Sequence, residues 1–193
     1  MLTGEEIMNK TMLKLKFFIL LSSLFTLFAC SHSVNNKPLS ANAAAAKTRV
    51  ELGLAYLSQG NPALAKANLD KALQHTPNDY LPYLGLAYFY QHTQQLKLAG
   101  EYYRKALSLS PENGDVLNNY ATYLCSQRQF DTAFNFFEQA LNSKAYYHFA
   151  DTYENIAICA VLAGDQNKTE QALTQLEKYS VDKAKNLRQR LHK

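Results

Sequence analysis

The chain has 193 residues, 47% of them hydrophobic and 19% charged, with only 7 Gly and 5 Pro. That composition suits a folded single domain, excludes disordered or collagen-like classes, and favours helix because no run alternates polar and β-branched residues. The formal net charge of +4 is dispersed along the chain, so it builds no basic face for nucleic acid.

The N-terminus bears on compartment. Lys14 and Lys16 precede an uninterrupted apolar or small stretch from Phe17 to Ala29. A positive segment followed by a short apolar one reads as a signal peptide over residues 1–29, too short for a permanent membrane span. Residues 1–11 carry Glu5 and Glu6 and fit such a leader poorly, which makes Met12 a candidate start. The apolar stretch ends in Leu27-Phe28-Ala29-Cys30, which resembles the lipobox of bacterial lipoproteins. The resemblance implies cleavage after Ala29 and acylation of Cys30; the alternative is an ordinary secretory signal that happens to contain a cysteine. Ser31 rather than Asp follows, and by the same resemblance this implies the periplasmic face of the outer membrane. Acyl chains on one cysteine anchor a protein without spanning the bilayer. Residues 30–45 hold Ser, Asn, Ala, Lys and Pro with little apolar bulk and read as a flexible tether.

From residue 46 the chain repeats. Ala65, Ala99 and Ala133 recur every 34 residues, as do Ala72-Leu73, Ala106-Leu107 and Ala140-Leu141, and Pro77 shares the spacing with Pro111. The pattern resembles the tetratricopeptide repeat. It runs through Leu52, Gly53 and Tyr56, then Leu86, Ala87 and Tyr90, then Tyr120, Ala121 and Leu124, with Ala145 where proline is usual. The repeats lie at 46–79, 80–113 and 114–147, with a weaker copy at about 150–183 carrying Tyr153, Ile156, Ala157 and Leu173. Ala163-Gly164-Asp165 echoes the turn at Gln59-Gly60-Asn61. The resemblance implies an all-α, right-handed superhelical solenoid of about four helix-turn-helix units. Paired helices cannot bury their apolar faces alone, so neighbours stack, with small residues at the close approaches. The basic run at 184–193, around Leu187 and Leu191, reads as a capping helix or tail that could alternatively touch anionic lipid.

No chemistry of catalysis appears. His32, His75, His92, His148 and His192 lack metal-ligand spacing, and there is no phosphate loop or nucleophile elbow. A non-enzymatic role with no cofactor, no metal and no small-molecule substrate is expected. Cys125 and Cys159 are free to pair in an oxidising compartment, or to serve as small buried apolar groups.

That leaves surfaces. In tetratricopeptide solenoids the first helix of each repeat lines the concave face through its positions 2, 5, 9, 12 and 13. Here these are Lys47, Val50, Leu54, Leu57 and Ser58; Leu81, Leu84, Tyr88, Gln91 and His92; and Asp115, Asn118, Thr122, Cys125 and Ser126. The first two sets are apolar, and apolar rows left open mark an interaction site unless neighbouring helices or the tether cover them. Val50, Leu54, Leu57, Leu84, Tyr88, Gln91, Asn118 and Thr122 are therefore the partner-binding candidates. Repeats that grip a C-terminal carboxylate carry Lys at position 5 and Asn at 9, whereas this chain has Val50/Leu54 and Leu84/Tyr88.

Three stretches resemble the type IV pilus biogenesis/stability lipoproteins, the pilotins of the pilus secretin. They are Leu52-Gly53-Leu54-Ala55-Tyr56-Leu57, Val116-Leu117-Asn118-Asn119-Tyr120 running on to Ala133, and the aromatic linker Tyr146 to Phe149 leading into Glu154-Asn155-Ile156. The resemblance implies that the secretin is the protein partner and the outer membrane the anchor site. Family members carry about six repeats and this chain about four, which leaves room for a lipoprotein adaptor of cell-wall enzymes or of the β-barrel assembly machinery.

Overall fold

A computed structural model describes residues 40–191, which form nine α-helices with no strand among them. Helices α1 (Ala41–Ser58) and α2 (Pro62–His75) make the first antiparallel pair, and α3 (Tyr80–His92) with α4 (Leu96–Leu109) the second. The third is α5 (Gly114–Ser126) with α6 (Phe130–Leu141), the fourth α7 (Phe149–Ala163) with α8 (Gln166–Tyr179), and α9 (Val181–Leu191) closes the stack.

Each turn inside a pair is built alike. The amides of Asn61, Gln95, Gln129 and Asp165 donate to the carbonyls of Tyr56, Tyr90, Leu124 and Ala160, at 2.8–3.0 Å. This bond satisfies a carbonyl the helix end would leave bare and needs one left-handed residue ahead of it. Gly60 (φ 73°) and Gly164 (φ 76°) supply it, whereas Gln94 (φ 61°) and Arg128 (φ 60°) adopt it with a side chain. Asn61 and Asp165 then cap the second helix by accepting from Leu64 and Lys168, and Pro62 occupies a first-turn position whose amide would be unbonded anyway.

The core repeats with the sequence. Leu69, Tyr103, Phe137 and Leu173 occupy equivalent places in α2, α4, α6 and α8, each at most 1% exposed. Ala65, Ala99 and Ala133 are fully buried one turn earlier, where helices meet too closely for a larger side chain. The fourth unit lags by two residues because the linker 142–148 is longer. Tyr146 folds inward there, its hydroxyl 2.6 Å from Thr152 Oγ1, and burial pushes its phenol up to about 12. A Cβ on Gly114 would lie 2.3 Å from the Tyr146 ring, so glycine opens α5 to make room for this plug.

Two boundaries differ from the sequence reading. Helix α1 begins at Ala41, inside the segment 30–45 read as tether. Ser40 caps it by accepting from Ala43, the alanine run is strongly helix-forming, and Ala46 already packs in the core. The remainder of the tether, the signal segment and Cys30 lie outside the described residues. Helix α9 starts at Val181 rather than 184, because Ser180 both ends α8 and accepts from the Lys183 amide. It buries Ala184 and Leu187 against the fourth pair. Three of its four Lys and Arg residues are spent on that docking: Lys183 bonds Asp151 and lies near Glu154, Arg190 bonds Glu154, and Arg188 reaches Glu177. The Lys183 bond holds the Asp151 carboxyl below the usual carboxylate range. The cap reading thus accounts for these cations better than a lipid-facing one.

Candidate functional site: an apolar groove on the first two repeats

Helices α1 and α3 run side by side on the inner face because Gly85 lets them close up. A Cβ there would stand 2.8 Å from Leu69 Cδ2 and 3.1 Å from Val50 Cγ1. Over this contact opens a groove of about 200 Å³ lined by Val50, Leu54, Leu81, Leu84, Gly85, Tyr88 and Asn119. Val50 forms the floor at 4% exposure, the three leucines are half-buried, and Tyr88 stands at the rim with 46% of its surface exposed. Asn119 closes the far wall from α5, its Nδ2 donating to the Asp115 carbonyl at 2.8 Å.

The lining carries no carboxylate, imidazole, amine or thiol, so it has nothing to transfer a proton with at neutral pH or to bind a metal. Among the described residues no group of three or more His, Cys, Asp or Glu side chains could hold a metal ion. What the groove offers is apolar surface to an apolar side chain. A larger hollow of about 640 Å³, bordered by Pro111, Glu112, Leu117, Asn135, Glu138 and Lys144, mixes apolar surface with carboxylates and an amine.

Of the eight residues read as partner-binding, four meet in this groove: Val50, Leu54, Leu84 and Tyr88. The other four stand behind it. Leu57 is 3% exposed in the core of the first repeat. Gln91 accepts the Tyr103 hydroxyl at 2.7 Å, pairing a phenol whose own burial pushes its pKa up. Asn118 is 7% exposed and accepts from Asn155 Nδ2 at 3.2 Å, while Thr122 donates to the Asn118 carbonyl. Leu57 and Asn118 are buried by the next repeat, whereas Gln91 and Thr122 are half-buried and engaged in these hydrogen bonds. Gly85 was absent from the sequence reading, and Asn119 entered it only within the Val116–Tyr120 stretch, not among the eight candidates. Gly85 lies off the repeat's usual small position and is needed for contact between repeats, which periodicity alone does not signal.

Cys125 and Cys159, left open by the sequence, form a disulfide with Cα atoms 5.8 Å apart. It joins α5 to α7 and so staples the third repeat to the fourth.

Comparison with known proteins agrees with this architecture. Family models described as Tetratricopeptide repeat match residues 46–79 and 82–113, and another of the same description matches 102–135. The chain is a tetratricopeptide-repeat protein. An uncharacterized protein of Haemophilus influenzae is 48% identical over 157 residues, 81% of this chain and 88% of that protein. The Type IV pilus assembly protein PilF of Pseudomonas aeruginosa is 33% identical over 138 residues, 70% of this chain and 55% of PilF, so the chain spans about half of that relative. The solved PilF structure superposes with a TM-score of 0.68 at 27% identity, over 77% of this chain and 69% of that one. PilW, described as a widely conserved type IV pilus biogenesis factor, gives 0.64 at 25% identity, over 69% and 61%. The chain belongs to one family with the Haemophilus protein and is related, at modest identity, to PilF and PilW. No helix among the described residues is long and apolar enough to cross a membrane.

Proposed function

We propose that this chain is a non-enzymatic outer-membrane lipoprotein, anchored through acylated Cys30, that assists localisation and assembly of the type IV pilus secretin. The observation that carries the reading is the open apolar groove between α1 and α3, on a fold related to two pilus biogenesis proteins. A short apolar segment of the secretin fills the groove, with Leu54, Leu84 and Tyr88 as its contacts and Val50 as the floor. Leu57, Gln91, Asn118 and Thr122 hold the walls in place without touching the partner.

Interface energy concentrates in a few apolar and aromatic anchors, and losing one costs about 2 kcal/mol or more, on the order of 30-fold in affinity. Leu54→Glu combined with Tyr88→Ala should therefore abolish co-purification of the secretin from membranes while circular dichroism stays helical. Retention of the secretin by a folded double variant would place the binding face elsewhere. Loss of a cell-wall enzyme or of a β-barrel assembly component instead would mark the chain as an adaptor for those systems. In the same fractionation Cys30→Ser should move the protein out of the outer membrane, since without acyl chains only the leader and tether remain to hold it. Full retention there would remove the anchor assignment.

A further inference from the structure

The inner face turns apolar a second time in the fourth unit. Leu54, Tyr88 and Thr122 hold equivalent places on α1, α3 and α5, and Ser58, His92 and Ser126 follow one turn later. Allowing for the two-residue lag of the fourth unit, α7 carries Ile158 and Leu162 at those places. Ile158 is 36% exposed and Leu162 53%, with the neighbouring Val161 at 44%. Helix α9 docks on the first half of α7, through Lys183 on Asp151 and Arg190 on Glu154, and leaves this last turn open. Val161 also lines a hollow of about 280 Å³ with Leu173 and Leu191, beside the polar Glu170 and Arg188. Between the two apolar sites, α5 presents Thr122 and Ser126. The disulfide and the bond from Asn155 to Asn118 hold α7 against α5, so the distance between the sites is fixed.

We propose that the Ile158–Leu162 turn is a second anchor point for the same protein segment that fills the groove. This rests on the groove reading above. The occupant is an extended segment of the partner with two bulky apolar side chains and a polar stretch between them. One continuous segment suits both sites because Tyr88 and Ile158 hold equivalent places on one face, with the polar surface of α5 between them. Packed helices lie about 8–10 Å apart, which puts α7 about 20 Å from α3. Extended chain covers that distance in about six residues. Once one anchor is seated, the other binds at high effective concentration, so two modest contacts select one segment by its spacing.

Selection of random hexadecapeptides displayed on phage against the full chain, purified in detergent and immobilised, tests this. Wild-type protein should enrich peptides with two bulky apolar residues about six positions apart. Ile158→Thr with Leu162→Ser gives α7 the side chains that α5 carries at the same places, and unchanged thermal melts verify the fold. This variant should still enrich one apolar residue but lose the pairing. A synthetic peptide from the wild-type selection should bind it about 30-fold more weakly, the scale of one lost anchor. Undiminished affinity in this variant, or wild-type enrichment without the paired spacing, overturns the second anchor and leaves the groove reading standing. Sedimentation velocity that finds a wild-type dimer and a monomeric variant makes a second copy the occupant, and overturns it as well. If Leu54→Glu with Tyr88→Ala selects the same peptides as wild type, the groove is not the site and both readings fall.

Discussion

Replacing Cys125 and Cys159 together by alanine will lower the unfolding free energy by roughly 3–4 kcal/mol, the chain-entropy value for a closed loop of this length. The bridge spans a sequence separation of 34 residues, one repeat, and links helices of two different units. Its removal frees the unfolded chain to explore conformations that the loop forbids. In the folded state the packing of α7 on α5 and α6, with Lys168 of α8 over the Phe134 ring, then holds the fourth unit. Alanine is the right replacement because both sites are buried, at 5% and 1% exposure, and serine would bury an unpaired hydroxyl. The midpoint of thermal unfolding should drop by about 10 °C. Reductant added to wild type should produce the same loss and leave the double variant unaffected. Urea titrations of both proteins with and without reductant measure it, and a reductant-insensitive wild type would show that the two thiols are unpaired.

Phe137→Ala will cost more per atom removed than any surface change, about 3–5 kcal/mol. The ring is 1% exposed and packs among Ala121, Leu124 and Ala133, so its removal leaves a cavity that rigid helices cannot close. Phe137→Leu should cost much less, below about 1.5 kcal/mol, because it keeps most of the volume. The molecule itself uses leucine at the equivalent places, Leu69 and Leu173. Chemical denaturation monitored at 222 nm gives both values. A loss under about 1 kcal/mol for the alanine variant would mean that the third repeat does not pack in this register.

The two predictions rest on different kinds of information. Phe137 could be assigned to the core from spacing alone, because its contacts lie within one helical pair and a neighbour, and the same contacts recur every 34 residues. The alanines, the positions of the turns and the number of units were legible for the same reason. Local, repeated packing leaves a repeated pattern. Boundaries were less legible where composition misled: the alanines before residue 46 look like a linker until Ser40 caps them and Ala46 is buried.

The groove divides along the same line. The sequence determined that the inner helices of the first two repeats are apolar, and that Leu54, Leu84 and Tyr88 lie on them. It could not determine that Leu57 and Asn118 turn inward, that Gly85 lets α1 and α3 touch, or that Cys125 meets Cys159. Those outcomes depend on the twist between successive repeats, which sums many side-chain contacts from helices 30 or more residues apart. Periodicity along one chain therefore names the face, and only the stacking of neighbouring repeats decides which residues on that face remain open to a partner.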